Sequence, residues 1–163
     1  MTLRLILMRH AKSDWSAPSL PDHDRALNAR GRTAARALGG WIRARGYHPD
    51  LALCSTALRT RQTLAGLELD VATRYERQLY NAEPATILSV IKSVQGANCV
   101  LVVAHNPGIA WLAQHIVKSR PAHPRFDDYP TGATLVSDFA APAWSDLTEK
   151  SGTVVDFTVP KDL

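Results

Sequence analysis

Cysteine is scarce in this chain. There are two in 163 residues, Cys54 and Cys99, and they form no CxxC spacing. That excludes a disulfide framework and a thioredoxin-like motif. Cys54 closes one apolar run and Cys99 opens another, so both read as buried thiols of a reducing compartment. Long hydrophobic runs are also missing. The longest, Cys99 to Ala104, has six residues, far short of a membrane span. The N-terminal stretch MTLRLILMRH carries Arg4 inside an apolar segment too short for a secretory signal. The expectation is a soluble, cytoplasmic protein without a membrane partner. Aromatic residues make up 7% and do not interleave with the basic ones, and no RRM, KH or helix-turn-helix pattern appears, so no nucleic-acid partner is expected. Gly-rich Walker loops and clustered Asp/His ligand sets are absent too, and no metal or other cofactor is expected. With no repeat, low-complexity tract or linker, residues 1–163 read as a single domain, long enough to bury about 70% of its unfolded surface.

Positive charge, by contrast, is concentrated. Residues 1–62 hold eleven Lys/Arg against four Asp/Glu, and residues 63–163 hold eight against eleven, so the net +4 is +7 in the first part and −3 in the second. Part of the excess is one arginine-rich helical stretch, with Arg30, Arg32, Arg36, Arg43 and Arg45 on a solvated face. The remainder favours an anionic partner.

The apolar pattern alternates between short continuous runs and helical periods. Leu3 to Met8 reads as a strand buried on both faces. Asn28 caps a helix whose small and apolar positions run from Gly31 to Ile42 and end at Gly46. Leu51–Cys54 is a second strand, with Ser55 placed to cap the following helix, and Val71–Tyr75 a third. Pro84 opens a helix carrying Ile87, Leu88, Ile91 and Val94. Cys99–Ala104 is the clearest buried strand, followed by a helix over Ile109, Leu112 and Ile116. Strands near Thr134–Phe139 and Thr153–Val159 close the chain, at least one of them antiparallel. The pattern predicts an α/β fold in three layers, a mainly parallel central sheet with helices on both faces.

In such a sheet, ligands bind at the carboxyl ends of the strands. The first strand delivers Arg9 and His10 there, the second Ser55 and, one helical turn on, Arg59, and the Cys99–Ala104 strand His105 and Asn106. Two guanidinium forks suit a phosphate dianion. A neutral imidazole between them could attack phosphorus, and a second could steady the equatorial oxygens.

Leu7-Met8-Arg9-His10-Ala11 resembles the RHG signature of the histidine phosphatase superfamily, whose fold is phosphoglycerate mutase-like. Arg9-His10-Ala11-Lys12-Ser13 is similar to the start of the short, SixA-type phosphohistidine phosphatases. Further blocks follow in the family's order: Asp24-Arg25-Ala26-Leu27-Asn28 through Gly31, Ser55 through Thr63, and Ala104-His105-Asn106-Pro107-Gly108. RH alone is a weak signal, but the ordered set is specific. The resemblance implies that His10 accepts the phosphoryl group, that Arg9 and Arg59 grip it, and that His105 completes the pocket. It makes Ser16 a secondary phosphate contact. Two departures stand out. Ala11 replaces the signature glycine, so the backbone there need not take a positive φ. The family's proton donor has no direct match either: Asn81 falls near that position and Glu83 two residues on. Either Glu83 swings in or the leaving group needs little protonation, as for a phosphoramidate.

The implied activity is a metal-independent phosphatase that works through a phosphohistidine intermediate and removes phosphate from phosphohistidine on a partner protein. Two alternatives remain: a small-molecule phosphomonoesterase, acting on a small phosphate ester, and a non-catalytic binder of phosphoproteins or other anions. Of the other side chains, His23, His48 and His123 read as solvated loop groups, and His115 as packing or surface. Trp41 and Trp111 read as core, Trp15 as a wall of the pocket, and Lys12 and Asp14 as solvated charge, with a place on the pocket rim as the alternative.

Overall fold

A computed structural model describes residues 2–163. Six strands form one sheet: β1 (Leu3–Arg9), β2 (Leu51–Ser55), β3 (Ala72–Glu76), β4 (Cys99–Ala104), β5 (Thr134–Phe139) and β6 (Thr153–Thr158). Their order is β3-β2-β4-β1-β5-β6. The first four are mutually parallel, β5 pairs antiparallel with β1, and β6 pairs antiparallel with β5. Only β5 therefore runs against the sheet, and β6 returns to the direction of the first four, as a direct connection between two adjacent strands requires.

Four helices cover the sheet: α1 (Ala29–Ala44), α2 (Leu58–Gly66), α3 (Pro84–Lys92) and α4 (Gly108–Ile116). Because successive strand residues face opposite sides, the sheet divides the apolar side chains into two cores. Leu5, Leu7, Leu53, Val100 and Val102 pack with Ile87, Ile91, Ile109 and Leu112 of α3 and α4. Ile6, Met8, Ala52, Cys54, Leu101 and Val103 pack with Leu38, Ile42 and Leu64 of α1 and α2. That is the expected three-layer α/β arrangement with helices on both faces.

Local signals account for most of the boundaries. The Asn28 side chain accepts from the Gly31 amide and caps α1, and Pro84 occupies the first turn of α3. A Cβ at Gly31 would lie 2.1 Å from the Lys12 carbonyl oxygen, so glycine there lets α1 press against the chain leaving β1. Several expectations need correcting. Ser55 does not cap α2, which begins at Leu58 after Ala57; Ser55 is the buried last residue of β2. Strand β3 begins one residue later than expected and runs to Glu76. Cys54 is buried, but Cys99 is only partly so, because it opens β4 at the rim of the sheet. Trp111 is 51% exposed rather than core, since α4 turns it into a surface groove beside α3. No helix among the described residues is long and apolar enough to cross a membrane.

Candidate active site

Neighbouring central strands create the site. Arg9 pairs with Ala104 across β1 and β4, and the His10 amide then donates to the Ala104 carbonyl. The next residues along each strand, His10 and His105, therefore emerge side by side with ring centroids 5.3 Å apart. They line a cavity of about 390 Å³ together with Arg9, Lys12, Ser13, Trp15, Asp22, Arg59, Asn81, Asn106 and Thr131. The convergence expected at the strand ends is present.

Each of the central groups is held from behind. The backbone after His10 is fixed by α2: the Ala11 amide donates to Thr63 Oγ1, which itself donates to the Arg59 carbonyl. Ala11 is fully buried and does not take a positive φ, which is why alanine serves where glycine was looked for. Arg9 donates through Nη1 to the Tyr129 carbonyl. Arg59 is buried and reaches across to Asp22, with Nη1 on the carbonyl at 2.8 Å and Nη2 on Oδ2 at 3.0 Å. Oδ2 also accepts from the Tyr80 hydroxyl at 2.6 Å.

The electrostatics favour neutral imidazoles. Burial, reinforced by Arg9 and Arg59, pushes the His10 pKa down to about 4. His10 Nδ1 lies 2.7 Å from the Ala11 carbonyl. A carbonyl can only accept, so Nδ1 carries the proton and the lone pair is on Nε2. Burial, with help from His10 and Arg59, takes His105 to about 3. Its Nε2 lies 2.8 Å from Ser55 Oγ, and that hydroxyl oxygen also accepts from the Ala57 amide. Among the described residues Nε2 is the one acceptor within reach of the Ser55 hydroxyl, so the Ser55 proton points there and the N–H of His105 is at Nδ1. Burial and Arg59 likewise lower the pKa of Arg9.

Three buried polar atoms of the lining residues have no partner among the described residues: Arg9 Nε, His105 Nδ1 and Asn106 Oδ1. An unpaired buried donor costs about 1–3 kcal/mol. Both donors, Arg9 Nε–H and His105 Nδ1–H, belong to residues that line the cavity beside His10, a neutral imidazole with an available lone pair. An anion with several oxygens is the class of ligand that offers such donors acceptors.

Two candidates fall outside the cavity. Glu83 is the N-cap residue of α3, its carbonyl taken by the Thr86 and Ile87 amides. It lines a separate groove with Leu88, Trp111 and His115. Asn81, in the left-handed region at φ 51°, faces the cavity instead. Ser16 is exposed, with its amide on the Asp14 carboxylate, and Ser13 occupies the lining in its place. Two loop histidines also differ from expectation. His23 is half-buried, paired with Thr56 Oγ1 and edge-on to Tyr80. His123 is bonded to Asp162 and packed on Phe157. Asp22 was not singled out at all. Its only signal was its place two residues before the Asp24-Arg25 block. Among the described residues, no group of three or more His, Cys, Asp or Glu is arranged to hold a metal ion.

Known proteins share this architecture. The sequence model of the histidine phosphatase superfamily (branch 1) matches residues 5–83. A structure assigned as the phosphohistidine phosphatase SixA of Nakamurella multipartitia superimposes with a TM-score of 0.86 at 32% identity, covering 98% of this chain and 97% of that one. The chain belongs to the histidine phosphatase superfamily, in its SixA-type branch. The corresponding protein assigned in Agrobacterium tumefaciens gives a TM-score of 0.80 at 29% identity over 97% of this chain and 99% of its own. An uncharacterized protein of Mycobacterium tuberculosis is 37% identical over 160 residues, 94% of this chain and its own full length. The six-stranded sheet and its four helices are thus the phosphoglycerate mutase-like fold, and membership of the superfamily supports phosphatase activity.

Proposed function

We propose that this member of the superfamily removes the phosphoryl group from phosphohistidine on a partner protein, through a phosphoenzyme at His10 and without a metal ion. The observation that carries the reading is the arrangement around His10: a neutral ring with its lone pair on Nε2, two arginines beside it, and two unpaired buried donors. Arg9 and Arg59 bind the phosphoryl oxygens and hold phosphorus in line with Nε2. His105 donates from Nδ1 to an equatorial oxygen, where charge accumulates as the bond to His10 forms. Water then attacks phosphorus from the vacated side and frees His10. The partner's phosphohistidine can approach because Lys12, Trp15 and Asn81 at the mouth are exposed. The two free cysteines suit a reducing cytoplasm.

The test is a phosphoenzyme trap in the presence of a strong chelator. The protein is mixed with a labelled phosphohistidine protein and quenched in alkali. Acid-labile label is expected on the wild type and absent from His10→Ala. Turnover without label would point to direct attack by water and remove His10 from the nucleophile's role. Turnover abolished by the chelator and restored by a divalent cation would overturn metal independence.

A further inference from the structure

Asp22 is the one carboxylate among the described lining residues of a cavity that also holds Arg9, Lys12 and Arg59. A carboxylate beside a phosphate dianion is repulsive. Asp22 is nonetheless kept ionised, because the Tyr80 hydroxyl and Arg59 hold its pKa below the usual carboxylate range. Anchoring Arg59 does not by itself explain that charge, since the Asp22 backbone carbonyl already takes Nη1. Of the two carboxylate oxygens, Oδ2 is engaged by Tyr80 and Arg59. The other, Oδ1, has only a 3.7 Å approach from Arg25 Nε, in a side chain 42% exposed. Arg25 in turn lies 4.0 Å over the ring of Trp15, whose Nε1 is tied to Ser13 Oγ. Trp15 is 61% exposed at the mouth of the cavity. A carboxylate oxygen whose nearest described donor stands at 3.7 Å, and an indole ring covered by Arg25 on one face but 61% exposed, line the same cavity. Together they suit a flat leaving group that carries an N–H.

We propose that Asp22 determines substrate choice by accepting a hydrogen bond from the distal ring N–H of a phosphorylated imidazole, with Trp15 as the wall against which that ring lies. The proposal rests on the phosphatase reading above and adds how the site selects its leaving group. With its distal nitrogen protonated, a phosphorylated imidazole is a cationic ring, and Asp22 stabilises that form. His10 Nε2 forms the new N–P bond. The old P–N bond breaks with its electron pair returning to the substrate ring, which departs as neutral imidazole still bearing the N–H held by Asp22. No proton has to be delivered during the step. An alkyl phosphate would leave as an alkoxide that needs a proton, and an ionised Asp22 has none to give. Its charge also repels an ester that brings no cation. The missing Glu83 is thereby accounted for: the acid arrives with the substrate.

The experiment compares Asp22→Asn with the wild type on free phosphohistidine and on 4-nitrophenyl phosphate, whose leaving group needs no proton. Inhibition by inorganic phosphate is measured alongside. Asparagine keeps an oxygen for Arg59 and Tyr80 but removes the charge. Expected is a fall of about 10- to 100-fold in kcat/KM for phosphohistidine. Aryl turnover should change far less, and inorganic phosphate should inhibit the variant at least as well. The variant's remaining phosphohistidine activity should also decline with rising pH earlier than the wild type's, since the cationic ring is no longer stabilised. An equal fall on both substrates with weaker phosphate inhibition would overturn the proposal and leave Asp22 as a support for Arg59. So would no change on either substrate. Should Asp22→Asn fail to fold, Tyr80→Phe reads the same ratio by loosening the carboxylate. A wild type active on the aryl ester but inert towards phosphohistidine would sink this inference together with the phosphohistidine substrate proposed above, and would leave the phosphoryl chemistry at His10 standing. Inactivity on both would sink the phosphatase reading itself.

Discussion

Two buried neutral histidines give the site its pH behaviour. His10 titrates near 4, so kcat/KM should stay level as pH falls through 6.5 and drop only towards pH 4. A pH–rate profile on an aryl phosphate checks this, and an acid limb near 6.5 would contradict the burial described. Stability follows a different window. Unfolding returns each ring to its ordinary pKa near 6.5, so between 6.5 and about 4 the unfolded chain binds more protons than the folded one. Stability should therefore fall with pH across that window, by on the order of 3 kcal/mol for His10 alone. Denaturant titrations at pH 7 and pH 4.5 measure it, and His10→Gln should reduce the difference to the part that His105 contributes. Ser55 acts through His105. Ser55→Ala removes the proton that fixes the His105 tautomer, and about a tenfold loss in kcat is expected with KM little altered. Arg9 carries the opposite trade. It is partly buried, its Nε is unpaired and it faces Arg59, so Arg9→Met should stabilise the free protein by about 1 kcal/mol while abolishing turnover.

At the level of elements, the site depends on how closely α1 and α2 approach the chain leaving β1. Gly31→Ala would place a methyl 2.1 Å from the Lys12 carbonyl, so either α1 or the Lys12–Ser13 segment must shift. A loss of about 1–3 kcal/mol in stability and a raised KM are expected from thermal melts and steady-state kinetics. Much of this level is legible in the sequence. The continuous run at Leu5-Ile6-Leu7 and the run at 99–104 are signatures of strands buried on both faces, and whatever follows such strands stands at the rim. Arg9, His10, Arg59 and His105 could be gathered on that basis before any coordinates. Contacts made by loops were not legible. Asp22 meets Arg59 and Tyr80 across 37 and 58 positions, and nothing local in Pro-Asp-His-Asp announces it. Ser55 looked like a helix cap because the strand-to-helix turn is two residues longer than the pattern implied, with Ala57 at the cap position. Trp111 has an apolar helical position, but a groove beside α3 leaves it open. Glu83 was sought in the pocket by its distance along the chain, whereas the left-handed turn at Asn81 sends the following residues to the other side.

For the molecule as a whole, the site holds more positive charge than it neutralises. Among its described lining residues, Arg9, Lys12 and Arg59 stand against one carboxylate, Asp22. Inorganic phosphate should thus raise the melting temperature, by an amount that grows with the logarithm of its concentration above Kd. Arg9→Met should abolish that increase, and calorimetry with and without phosphate checks both.

The two apolar cores touch only through the sheet, with α1 and α2 on one side and α3 and α4 on the other. The cavity draws from both sides. Arg59 comes from α2, and His105 and Asn106 from the turn that enters α4. A bound phosphoryl group is therefore a rivet through the three layers. Neither helical layer can lift from the sheet without surrendering oxygens that the other still holds. Amide hydrogens in α2 and in α4 should slow their exchange with solvent together when the site fills, although the two helices stand on opposite faces of the sheet.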